Sequence, residues 1–126
     1  VVVAGRIILG GQIGDNIRVD MPAGVVRAFD AQSGQLLWAW NAMREGQPDR
    51  SADGTWRNAT ANVWSIMSVD EKRNLVFLPT GTAGPDFYSV DRGDLDYYSS
   101  SVVALLLASA LLVLAAQTDL TWRPQP

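Results

Sequence analysis

Apolar β-branched residues open the chain. Val1 to Ala4 and Ile7 to Leu9 read as strand, punctuated by Gly5 and by Gly10-Gly11. A polar loop, Gln12 to Pro22, follows. Gly24 to Asp30 then reads as a strand, Ala31-Gln32-Ser33-Gly34 as a tight turn in which the glycine supplies positive φ, and Gln35 to Trp40 as the returning strand. From Asn41 to Asn62 no period of 2 or 3.6 is sustained, and the composition predicts a long surface loop, a kind of segment that is commonly functional. Val63 to Val69 and Leu75 to Pro79 form a second predicted strand pair around the charged turn Asp70 to Asn74, and Thr80 to Tyr98 reads as loop.

Residues 102–116 stand apart, because Ser109 is the only polar side chain among them. The run falls short of the roughly 18 to 20 apolar residues that cross a bilayer, so it is expected to be a buried element. Its Leu/Ala richness favours helix. A strand pair that has lost its turn residues is the alternative, and an internal repeat supports it. Laid over Val26 to Trp40 at a spacing of 76 residues, Val102 to Ala116 places Leu106 at Asp30, Ala110 at Gly34 and Leu114 at Trp38. A supersecondary unit recurring at wide spacing is how propeller blades appear in sequence.

Composition then removes whole classes of chemistry. The 126 residues contain no His and no Cys, which excludes a Ser-His-Asp triad, a cysteine nucleophile, a Cys/His zinc site and a disulfide. Chemistry is left to carboxylates, amides, Arg/Lys, Tyr or a bound cofactor. A formal charge of -3 with scattered basic residues argues against nucleic acid as a partner. The length allows one domain burying roughly two-thirds of its unfolded surface, yet the start at Val1-Val2-Val3, without Met and already inside a strand, reads as a fragment.

Several ordered segments carry a family resemblance. The hairpin from Val25 through Arg27, Asp30, Ser33 and Gly34 to Trp38 resembles the tryptophan-docking blades of pyrroloquinoline-quinone (PQQ) dehydrogenases. Gly14-Asp15-Asn16 with Met21-Pro22 and Gly24 to Arg27, then Asn62-Val63-Trp64, Asp70 to Gly81, Pro85 to Tyr88, and Tyr98 to Leu105 match the same family in its order, most closely its membrane-bound glucose and quinate types. The resemblance covers residues 1–105, and residues 106–126 diverge from it. It implies a mainly β fold: about two blades of an eight-bladed propeller. It further implies oxidation of a sugar or cyclic polyol such as glucose or quinate, with PQQ and Ca²⁺ as cofactors, membrane quinone as electron acceptor, and the periplasmic face of the bacterial inner membrane as location.

The same resemblance assigns roles to individual residues. Asp15 takes the position of the family's general base, beside the bound Ca²⁺; read alone, Gly-Asp-Asn is also an ordinary turn. Arg44 falls where relatives place a cation on the quinone, against a plain surface charge. Asn62 and Trp64 fall where side chains approach the cofactor, although Trp64 would equally serve as packing between blades. Trp38 and Trp40 are expected to pack between blades. The acidic stretch Asp86, Asp91, Asp94 and Asp96 reads as a solvated loop. The competing functional reading is a non-catalytic repeat module or truncated product, whose apolar segment 106–116 would offer a surface for self-association or assembly.

Overall fold

The computed structural model describes residues 1–14, 17–18 and 20–117. Among the described residues, eight strands form two four-stranded antiparallel sheets, each a meander in chain order. The first contains β1 (Val2–Val3), β2 (Arg6–Leu9), β3 (Val26–Asp30) and β4 (Leu36–Trp40); the second contains β5 (Ser68–Asp70), β6 (Leu75–Pro79), β7 (Ser101–Leu106) and β8 (Leu112–Gln117). Two short 3₁₀ turns, Ser89–Asp91 and Gly93–Tyr98, sit between β6 and β7. This is the mainly β, two-blade arrangement that the sequence implies.

The repeat at a spacing of 76 residues holds in atomic detail. Ala28 pairs with Trp38 and Phe29 with Leu36, with a bulge between Ala28 and Phe29. Ala104 pairs with Leu114 and Leu105 with Leu112, with the bulge between Ala104 and Leu105. The turns correspond as well: Gly34 N–H donates to the Asp30 carbonyl and Ala110 N–H to the Leu106 carbonyl, both at 2.9 Å. Gly34 has φ 72° and Ala110 has φ 55°. An alanine therefore occupies the left-handed position that glycine takes in the first copy.

Segment 102–116 is therefore a strand pair, and the helical expectation is wrong. Leu and Ala favour helix only when packing does not decide, and here β7 lies between β6 and β8 with Val103, Ala104 and Leu105 buried. What the second copy lacks is the side-chain brace of its turn. Asp30 Oδ1 accepts from the Ser33 N–H (2.7 Å), the Ser33 hydroxyl (2.8 Å) and the Gln32 N–H (3.0 Å), whereas the Leu106 side chain offers no acceptor. Those bonds, the Ser33 N–H first, hold the Asp30 carboxyl below the usual carboxylate range.

One continuous core joins the sheets. Val3, Ile8, Val26 and Ala28 of the first pack with Val76, Leu78, Val103 and Leu105 of the second, and Ala61 and Val63 from the connection join them. A polar anchor crosses this seam in the same cluster: the buried Trp38 indole N–H donates to the Leu107 carbonyl at 2.8 Å. Trp38 and Trp40 thus take the packing role assigned to them, Trp40 against Tyr98 with ring centroids 5.8 Å apart.

Connection length sorts the two ends of the molecule. In a meander the links leaving odd strands share one end, and here they are the short segments 4–5, 31–35, 71–74 and 107–111. The long links 10–25, 41–67 and 80–100 gather at the other end. Segment 41–62 is a surface loop only in its middle. Asn41, Ala42 and Met43 are buried, as are all of Ala59 to Val63, and β5 begins at Ser68 instead of Val63. Small residues let this connection thread between the sheets, where its backbone groups find partners in the links that precede β3 and follow β6.

Candidate functional site

The buried connection orders the loop end. Gly24 N–H donates to the Thr60 hydroxyl (2.9 Å), which donates to Asn41 Oδ1 (2.5 Å), while Ala59 N–H reaches the Met21 carbonyl (2.6 Å). The Asn41 amide also donates to the Asp49 carbonyl (3.1 Å) and the Arg57 carbonyl (3.4 Å), fixing the base of the exposed excursion 49–57. Toward the second sheet, Gly81 N–H donates to the Asn62 carbonyl (2.8 Å) and Gly84 N–H to the Ala59 carbonyl (2.9 Å). Close backbone approach explains two glycines: a Cβ on Gly10 would strike the Val63 carbonyl, and one on Gly24 the Ala61 carbonyl.

Three clefts meet at this end, and Gln12 lines all of them. The most polar, of about 330 Å³, is lined by Gln12, Trp64, Gly81, Thr82, Asp86 and Ser100. Trp64 is 63% exposed and also borders the neighbouring cleft formed by Gly10, Gly11 and Val63 to Met67. Its indole edge lies over Gly81, where a Cβ would come within 3.0 Å of Nε1. The site thus offers an open aromatic face beside an amide, hydroxyls and one carboxylate. Such a set suits a flat, polar-edged ligand.

The sequence-predicted site residues separate. Trp64 enters the cleft, whereas Asn62 lies fully buried beneath it and contributes its carbonyl to Gly81. Arg44 does not line the Trp64 cleft; its guanidinium lies 5.1 Å from the Tyr97 ring centroid. Tyr97 meets Tyr98 edge-on at 4.8 Å, and burial pushes the Tyr98 phenol above its ordinary 10.0. Asp15 lies outside the described residues.

Thr82, Asp86 and Gln12 were not legible as site residues. Asp86 belongs to the stretch that reads as a solvated acidic loop, yet it is half-buried and accepts a hydrogen bond from the Thr82 hydroxyl. Asp91 and Asp94 are exposed, as expected. The available signal was the Gly81-Thr82-Ala83-Gly84-Pro85 run, which marks a tight loop just ahead of Asp86.

The Trp64 cleft offers a planar group an aromatic face and hydrogen-bonding edges, with Asp86 as the one charged residue in its lining. Among the described residues, no group of three or more His, Cys, Asp or Glu is gathered that could hold a metal ion. Nor is any helix of the described residues long and apolar enough to cross a membrane.

Comparison with known proteins places these features. Residues 1–118 match the family model for the PQQ glucose/ethanol/alcohol dehydrogenase β-propeller domain. The chain is 37% identical over 102 residues to the quinate/shikimate dehydrogenase (quinone) of Acinetobacter baylyi, covering 79% of this chain and 12% of that protein. It is 29% identical over 120 residues to quinoprotein glucose dehydrogenase A of Acinetobacter calcoaceticus, covering 94% of this chain and 15% of that protein. The crystal structure of the quinohemoprotein alcohol dehydrogenase from Comamonas testosteroni superposes with a TM-score of 0.71 at 22% identity, over 92% of this chain and 19% of that one. The chain therefore spans between 12% and 15% of the length of these two relatives.

Proposed function

The chain belongs to the PQQ glucose/ethanol/alcohol dehydrogenase β-propeller family, and from that premise we propose that it forms two neighbouring blades of a dehydrogenase oxidising a sugar or cyclic polyol. The names of the relatives, a quinate/shikimate dehydrogenase (quinone) and a quinoprotein glucose dehydrogenase, support that substrate class and quinone as the electron acceptor. By the same resemblance the reaction takes place at the periplasmic face of the inner membrane. The observation that carries the reading is the Trp64 cleft, built where the long links of two docked blades converge.

PQQ, when bound, supplies the two-electron acceptor for the hydride of the alcohol. The chain's own contribution is positional. Trp64 offers the face against which a planar ring rests, and Gln12, Thr82 and Ser100 supply hydrogen-bonding edges. Asp15 is assigned as the base that accepts the hydroxyl proton, beside a Ca²⁺ ion; both assignments rest on the Gly14-Asp15-Asn16 resemblance. Arg44 and Asn62 are assigned to the quinone by the same resemblance, Arg44 as a cation on its oxygens and Asn62 as an amide at its edge, although neither lines the Trp64 cleft.

The test is titration of the 126-residue chain with PQQ, followed by tryptophan fluorescence. Saturable quenching is expected, lost in Trp64→Phe and retained in Trp56→Phe. Equal quenching in Trp64→Phe and the wild type would overturn the cleft assignment. With PQQ and Ca²⁺ added, the chain alone is expected to show no dye-linked oxidation of glucose or quinate. Robust turnover would contradict the two-blade reading.

A further inference from the structure

The wall of the Trp64 cleft that carries Thr82 and Asp86 is anchored at its start by the buried Ala83 and Gly84, but little apolar support follows Asp86. Phe87, Tyr88 and Val90, the large apolar residues that follow it, are all exposed. Burial cannot therefore hold this part of the loop in place. What enters the protein instead is a charge: the Arg92 side chain is only 10% exposed. Its Nε donates to the Pro85 carbonyl at 2.9 Å, one terminal nitrogen donates to the Asp86 carbonyl, and the other pairs with the Asp96 carboxylate at 2.9 Å.

We infer that Arg92 is a positioning residue for this cleft, fixing the backbone of Pro85 and Asp86 so that the Asp86 carboxylate and Thr82 hydroxyl stay paired beside Trp64. The inference rests on the functional reading of the cleft given above. A planar guanidinium directs donors along several fixed directions at once, so one side chain can clamp two successive carbonyls and still be neutralised by Asp96. A lysine ammonium at the same depth supplies donors from a single point and cannot span the same acceptors. Thr82 is tied from the other direction, because its neighbours bond elsewhere: Gly81 N–H to the Asn62 carbonyl, and Ala83 N–H to the Ser99 hydroxyl at 2.8 Å. Arg92 therefore governs the half of the wall that those bonds leave free.

The experiment compares Arg92→Lys and Arg92→Met with the wild-type 126-residue chain. Its first readout needs no ligand: the NMR signals of the Trp64 indole and of the backbone amides of Thr82, Ala83, Gly84 and Asp86. Arg92→Met is expected to shift these signals and leave those of Val76, Leu78 and Val103 in place; Arg92→Lys should recover part of the wild-type pattern. Its second readout is PQQ affinity by fluorescence, expected to fall about tenfold in Arg92→Met. Unmoved cleft signals in Arg92→Met, or equal movement of the strand amides, would overturn the assignment. If Arg92→Met does not fold, Arg92→Lys is judged by the same criterion. Absence of PQQ binding in every form would refute the functional reading and leave the first readout to decide the role of Arg92.

Discussion

The strongest prediction concerns Trp38→Phe. The substitution keeps an aromatic ring in the seam and removes a donor that crosses it, the indole N–H held 2.8 Å from the Leu107 carbonyl. Leu107 is 1% exposed, so water cannot readily replace that donor. Leaving a buried carbonyl without its partner costs about 1–3 kcal/mol. Shrinking a buried indole to a phenyl ring leaves a void that adds about 1 kcal/mol more. The total, about 2–4 kcal/mol, is a large share of the roughly 5–15 kcal/mol that stabilises a typical domain. Urea denaturation followed by far-UV circular dichroism would measure it. A loss below about 0.5 kcal/mol would refute the view that this bond anchors the seam. Leu114→Trp is the control, since Leu114 is the counterpart in the second copy and is exposed; it should leave stability within about 0.5 kcal/mol of wild type.

Other outcomes follow from the same structure. Thr60→Val removes the hydroxyl linking Gly24 to Asn41 and should cost about 2–4 kcal/mol in the same denaturation assay, because a buried donor and a buried acceptor both lose their partner. Ala110→Gly should raise stability by about 0.5–1 kcal/mol, since φ 55° suits glycine and strains alanine. Acid sensitivity should trace in part to Asp30. Its folded pKa lies below the ordinary 3.8, so its contribution is complete above that value and is lost as the pH falls through the folded pKa; Asp30→Asn should flatten the acid limb of the stability profile and leave the neutral region parallel.

Local turn chemistry made much of the fold readable. The Asp30 to Gly34 turn between alternating strands identified the first hairpin, and the repeat located its counterpart even after Asp, Gly and Trp had become Leu106, Ala110 and Leu114. The conformation of 102–116 was less legible, because propensity speaks for helix and the deciding partner, β6, is distant in sequence. Burial of Ala59 to Val63 could not be read either: small residues threading between sheets leave no periodic trace. At the candidate site, Trp64 was identifiable through the resemblance. The Thr82, Asp86 and Arg92 arrangement depends on a loop fold that polar composition conceals.

The indole bond across the seam also has a direction. The first sheet gives a donor and the second receives it on the carbonyl of Leu107, whose counterpart in the first copy is Ala31. Blades joined in this way form a relay, each handing a proton donor to the next. Leu114 has nothing to hand on. A neighbour that met β8 at Leu114 would find an apolar side chain there in place of an indole donor, and that contact would tolerate sliding in a way that a directed hydrogen bond does not.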